Sequence, residues 1–182
     1  MTSFIIKAHE SRPPAPSWLQ GSESDCPFCR IIRGELPAQR VFEDEETIAI
    51  LDILPLRKGH TLVIPKYHCV RLSDLPPEYA AATGKAVSRV AHALTEALQN
   101  TALNVVCNQE YAQAVPHVHY HIIPAPNFNT PSGTSNPLVV DAKLSEDKPP
   151  SMKKIHQMEF EAREELDDDE AHVLAKAILA RL

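Results

Sequence analysis

From residue 41 onward, short apolar runs alternate with polar punctuation. This period-two pattern predicts strands at Val41 to Asp44 and Thr47 to Leu51, paired as a hairpin, and another at Thr61 to Pro65. A short helix is expected before them, over Cys26 to Ile32. After Leu75-Pro76-Pro77, whose prolines suit a helix start with Asp74 as the cap, Glu78 to Asn100 is rich in alanine and free of internal proline. That stretch predicts the longest helix. Leu103 to Cys107 and His117 to Ile123 complete the strands, joined by a loop from Asn108 to Pro116.

The last strand carries an imidazole at every second position. On a strand His117, His119 and His121 share one face, and Val118, Tyr120 and Ile122 share the other. Neighbouring histidines then stand roughly 6.6 to 6.8 Å apart and the outer two about 13 Å, so one metal ion does not readily take all three. The row is expected to divide, one end structural and the remainder facing a substrate.

The flanks read differently. Residues 1–24 are expected to be an extended or disordered leader, with Pro13, Pro14 and Pro16 close together. The composition places a domain over 25–126, a Pro- and Ser-rich linker over 127–150 and a helical C-terminal extension over 151–182. The acidic run Glu164 to Glu170 is read as a solvated face and the first turn of a helix beginning after Asp167, where carboxylates suit the positive end of the helix dipole.

A chain of 182 residues with 43% hydrophobic content supports one domain with a buried core plus an appendage. Its net charge of -6 and pI near 5.8 argue against an electrostatic grip on nucleic acid or on an anionic membrane. Met1 to Lys7 lacks the pattern of a secretory signal, and no stretch reaches membrane-spanning length. A cytoplasmic setting, with the nucleus as a second possibility, is therefore expected, and the four cysteines are expected to be reduced.

In Cys26-Pro27-Phe28-Cys29 two thiols stand at a spacing that can clasp zinc, but a closed tetrahedral site needs two more ligands. His68 and His117 are the candidates. Two buried thiols without metal, or a redox pair, are the alternatives. Cys69 and Cys107 read as small buried residues. His119 is the candidate nucleophile or general base, with His60 and His121 placed to orient phosphate oxygens. With only five glycines, the chain contains neither a phosphate-binding P-loop nor a dinucleotide fingerprint, and no serine-hydrolase elbow is present.

These residues resemble the histidine triad (HIT) family of nucleotide hydrolases and transferases, whose motif is His-x-His-x-His followed by apolar residues. The opening segments from Asp25-Cys26-Pro27-Phe28-Cys29 to Pro37-Ala38, Ala49-Ile50-Leu51-Asp52-Ile53-Leu54-Pro55 and Gly59-His60-Thr61-Leu62-Val63-Ile64-Pro65 also match in order. The resemblance covers about residues 25 to 126 and leans to the Hint branch of purine nucleoside phosphoramidases. It implies an α+β fold with an antiparallel sheet of about five strands, and a homodimer.

It also implies that His119 attacks the α-phosphorus of a nucleoside 5′-phosphoramidate to form a nucleotidyl-histidine that water cleaves. Asp52 would accept from ribose hydroxyls, Phe28, Ile31, Ile50 and Ile53 would wall the purine, and Asn108, Gln113, His119 and His121 would line the phosphate. A structural zinc would be held by Cys26, Cys29, His68 and His117. Dinucleoside polyphosphate hydrolysis, or nucleotide binding with little turnover, are the other functions the resemblance allows. The chain departs from the branch at Ala112-Gln113-Ala114-Val115, where many Hint relatives carry Gly-Gln-Ser-Val, so Ala114 brings no hydroxyl.

Overall fold

The computed structural model describes residues 23–110, 112–125 and 163–182, together with Lys154, Gln157, Phe160 and Glu161. The linker expected over 127–150, and the leader apart from Glu23 and Ser24, lie outside the described residues. Helix α1 (Pro27–Ile32) leads into the hairpin β1 (Arg40–Glu43) and β2 (Thr47–Leu51), then β3 (Thr61–Pro65) and a 3₁₀ turn at Leu72–Asp74. The long helix α2 (Pro77–Leu98), β4 (Leu103–Cys107), β5 (Tyr120–Pro124) and α3 (Asp168–Leu179) follow. The strands form one antiparallel five-stranded sheet in the order β1-β2-β3-β5-β4, the α+β architecture expected.

All five residues of β2 and all five of β3 are buried, because both faces of the sheet centre are covered. On one face Ala49, Leu51, Val63 and Ile122 pack with Val90, Ala93 and Leu94 of α2 and with Ala171, Leu174 and Ile178 of α3. Ile178 is fully buried there, and burying such a side chain stabilises the fold by about 1.5–3 kcal/mol. The opposite face pairs Ile48, Ile50, Leu62 and Ile64 with Cys26, Phe28 and Cys29 of the α1 region. His121 lies opposite Leu62 on β3 and Val106 on β4, so it belongs to this second face.

Three local expectations change. Asp74 does not cap α2; it sits in the 3₁₀ turn beside Arg71, and Pro76 in an extended conformation is the residue before the helix. The helix ends at Leu98, where Gln99 adopts a left-handed φ of 51°. The ladder of β5 begins only at Tyr120, so His117 and His119 precede it. The His117 carbonyl faces the Gln113 amide and the His119 ring, and the Val118 N–H donates to Cys69 O, so these backbone groups bond away from a neighbouring strand.

The helix expected after Asp167 is present, and the Asp167 carboxylate accepts from the N–H groups of Asp169 and Glu170, satisfying two donors that helix geometry leaves open.

Candidate active site and metal centre

Cys26 lies just before α1 and Cys29 within it, His68 follows β3, and His117 precedes β5. The fold draws all four to one place. His117 Nδ1 is 3.4 Å from Cys26 Sγ, 3.5 Å from Cys29 Sγ and 3.3 Å from His68 Nδ1, and His68 Nδ1 is 3.2 Å from Cys29 Sγ. Zinc bonds of ~2.3 Å to sulfur and ~2.05 Å to nitrogen give tetrahedral edges of roughly 3.3 Å between nitrogens and roughly 3.5 Å from sulfur to nitrogen. The four atoms already stand near those edges.

His117 Nε2 faces the Pro65 carbonyl at 2.8 Å, which requires a proton on Nε2 and leaves Nδ1 bare toward the cluster. Without a cation, burial followed by the neighbouring Cys26 pushes the Cys29 thiol up to about 12, and burial pushes His117 down to about 4. The donor set and its geometry fit a tetrahedral Cys₂His₂ metal centre.

Next along the row, His119 Nδ1 is 2.7 Å from the carbonyl oxygen of His117. A carbonyl only accepts, so Nδ1 carries the proton and Nε2 is a bare lone pair. The ring is buried and edge-on to Phe28 at 5.1 Å, and burial lowers its pKa and keeps it neutral. Its other ring neighbour is His121, with centroids 4.8 Å apart.

The Leu56 N–H donates to His60 Nδ1 at 3.2 Å, so the proton of this ring is on Nε2, 3.0 Å from His121 Nδ1. His121 accepts that bond and carries its own proton on Nε2. Burial drives His60 down to about 3, with the charges of Arg163 and His119 adding to it, and burial drives His121 down to about 2. The 3.3 Å approach of Asp52 Oδ2 to His60 Nδ1 is therefore no ion pair, because the ring is neutral and the Nδ1 lone pair is taken. Asp52, His60 and His121 hold three potential ligand atoms within 4.8 Å, but the proton on His60 Nε2 points at His121 Nδ1, so the two imidazoles form a hydrogen-bonded pair.

Asp52 follows β2, takes the Leu54 N–H on Oδ1 at 3.0 Å, and has its pKa raised by burial against the lowering effect of that bond and of Arg163. Beside it, Ile53 is 63% exposed and Ile31 half-buried, an apolar edge open to a flat ring. Ile50 is buried in the sheet and Phe28 lies against His117 and His119, so these two back the site from beneath. Asn108 directly follows β4, whose last paired residue, Cys107, lies opposite Tyr120.

Gln113 departs from the expected place on the phosphate side. It is fully buried, donates to Val70 O and His117 O and accepts from the Glu110 N–H, so it pins the loop that carries His117. Glu110 and Ala112 have φ of 57° and 58°, and these turns point the Gln113 amide inward. Ala114 is exposed.

Sequence reasoning missed the Leu56 amide, the Pro65 and His117 carbonyls and Arg163. The three backbone groups carry no side-chain signal, and Arg163 lies just before the acidic run Glu164 to Glu170, in a tail read as a helical extension.

The chain matches the HIT domain family over residues 33–128. It is 40% identical over 104 residues to adenylylsulfatase HINT3 of Arabidopsis thaliana, a match covering 56% of this chain and 53% of that protein. It is 39% identical over 111 residues to adenosine 5′-monophosphoramidase HNT1 of Saccharomyces cerevisiae, covering 60% of this chain and 66% of the yeast protein. Among solved structures, a zinc-bound histidine triad family protein from Mycobacterium smegmatis aligns with a TM-score of 0.56 and 36% identity, over 77% of this chain and 94% of that one. This chain thus spans about half the length of its plant relative.

Proposed function

Because the chain belongs to the HIT family, we propose that it is a nucleotide hydrolase that cleaves purine nucleoside 5′-phosphoramidates or related nucleotidyl conjugates through His119. The relatives named above, one an adenosine 5′-monophosphoramidase and one an adenylylsulfatase, support a reaction that releases AMP. The observation that carries the reading is the 2.7 Å contact of His119 Nδ1 with the His117 carbonyl, which leaves Nε2 as a neutral nucleophile.

In the first step Nε2 forms a bond to the α-phosphorus while the bond from phosphorus to the leaving nitrogen breaks. The electron pair departs with the amine, which takes its proton from water, while the His121 Nε2–H donates a hydrogen bond to the leaving nitrogen and stays on the neutral ring. The ring of His119 becomes cationic in the nucleotidyl intermediate, and the His117 carbonyl at Nδ1–H stabilises that charge. Water then attacks phosphorus, loses a proton to solvent and frees His119, which balances the proton taken up by the amine. Asp52 with the Ile31 and Ile53 edge receives the nucleoside, and Asn108 borders the phosphate.

Cys26, Cys29, His68 and His117 would hold zinc, which when bound ties α1 to the start of the histidine row as a structural brace. The zinc-bound relative supports that identity of the metal. The reading further takes the protein to be a homodimer of the cytoplasm or nucleus, in keeping with the family resemblance and with a metal centre that needs reduced thiols. No helix among the described residues is long and apolar enough to cross a membrane.

The test is AMP release from adenosine 5′-phosphoramidate by wild type and His119→Ala, with mass measurement of acid-quenched wild type for bound adenylate. Equal turnover in the variant would sink the nucleophile assignment. A second reading, nucleotide binding with little turnover, is favoured by the methyl group of Ala114, and it wins if wild type binds AMP tightly but releases none from the phosphoramidate.

A further inference from the structure

The C-terminal segment reaches the candidate site from outside the stretch that matches the HIT family. Leu166 donates its N–H to the carbonyl of Ile53 at 2.9 Å and packs against the core, and Asp167 caps α3 one residue later. The backbone neighbouring Asp52 is thereby tied to the tail. Arg163 lies three residues upstream of that tie. Its guanidinium covers the Phe160 ring at 3.8 Å, and its Nε donates to the Phe160 carbonyl at 3.1 Å. The two Nη groups meet no acceptor among the described residues, although the side chain is only half-exposed and its charge acts on both Asp52 and His60.

Asp52 is the complementary half. Its Oδ1 takes the Leu54 N–H, while Oδ2 faces a His60 nitrogen that bears no proton, so among the described residues Oδ2 has no donor. Arg163 and Asp52 carry opposite charges on adjoining segments, yet they close no ion pair. The unmet needs are four donor hydrogens on one side and an acceptor on the other. A hydroxyl satisfies both at once, since it donates one proton and accepts on its lone pairs.

We propose that Arg163 is a specificity-determining residue that reads the vicinal diol of a ribose, the sugar hydroxyls donating to Asp52 Oδ2 and accepting from the Arg163 Nη groups. The inference rests on the nucleotide reading above. It makes the tail part of the binding site and selects ribonucleotides over deoxyribonucleotides. A site built to bond a hydroxyl rejects the analogue that lacks it, because its own polar groups are left unpaired.

The test titrates AMP and 2′-deoxy-AMP into the full chain by calorimetry, for wild type, Arg163→Gln and Asp52→Asn, with melting temperatures to check folding. Wild type is expected to prefer AMP by about tenfold or more, and Arg163→Gln to shrink the preference to about threefold by weakening AMP more than 2′-deoxy-AMP, which keeps only the 3′-hydroxyl. Equal losses for both nucleotides, or an unchanged preference, would overturn the proposal. Wild type that binds neither nucleotide would remove the nucleotide reading and this proposal with it.

Discussion

His119 Nδ1 lies 2.7 Å from the backbone carbonyl of His117, its neighbour two positions earlier in the row, and this contact decides which nitrogen of the ring can react. The same two residues face different ways, since His117 turns its bare Nδ1 to the thiols while His119 holds its proton on Nδ1 and a bare lone pair on Nε2.

His121 should matter according to the leaving group. If its Nε2–H hydrogen-bonds the departing nitrogen, His121→Asn slows hydrolysis of adenosine 5′-phosphoramidate by about 10²–10³-fold, and slows an AMP ester of an acidic phenol far less. Steady-state rates on the two substrates decide it. Equal losses on both would place His121 in binding instead.

Metal removal should loosen the α1 region first. The four ligands come from three separate segments, so the ion closes long loops. A strong chelator, or Cys29→Ser, is expected to lower the melting temperature by about 10 °C, where each kcal/mol is worth roughly 2–4 °C in a domain of this size. Metal analysis should find about one zinc per chain. An unshifted melting curve in both cases would reject the centre.

Gly59 precedes His60 with a φ of +87°, and a methyl group built on it would come within 2.6 Å of Leu98 Cδ1 and 3.3 Å of Pro124 Cγ. Gly59→Ala should cost about 1–3 kcal/mol in urea denaturation, from the left-handed backbone and the contact together. It should also weaken turnover by moving His60 off His121. Unaltered stability would mean that the turn relaxes.

Acid should act through His60 and His121, neither of them a ligand of the metal centre. Their folded values of about 3 and about 2 lie below the ordinary 6.5, so the unfolded chain binds protons that the folded chain does not. Their contribution is intact above pH 6.5 and is lost as the pH falls toward the folded values, by up to about 1.4 kcal/mol per pH unit for each ring. Denaturation of the metal-loaded protein at pH 7, 6 and 5 should reveal this slope, and His121→Asn should flatten it by about one proton. An identical slope in the variant would contradict the assignment.

Much of the fold was legible because its signals are local. The turn after β1 shows why: Asp44 Oδ1 gathers the N–H groups of Glu46 and Thr47 and the Thr47 hydroxyl, a turn chemistry readable from neighbouring residues. The proline-led start and alanine-rich body of α2, and the acidic opening of α3, are local in the same way. Asp74 was misjudged as a cap because Leu75 and Pro76 run extended between it and the helix, a backbone path that composition does not encode. Gln113 was misjudged because the left-handed turns at Glu110 and Ala112 aim it into the protein.

By itself the sequence determined the strand and helix pattern, two thiols at a clasping spacing, and a row of imidazoles with a division of labour. Tertiary structure alone decided where each proton sits: Pro65 O on His117, His117 O on His119, and the Leu56 amide on His60 and through it on His121. It also brought Leu166 to Ile53, and with it Arg163 to the neighbourhood of Asp52. The physical reason is one of range. Propensity and periodicity act between neighbours in the chain, whereas the tautomer of a buried imidazole and the field on a carboxylate depend on whichever groups the fold sets against them through space.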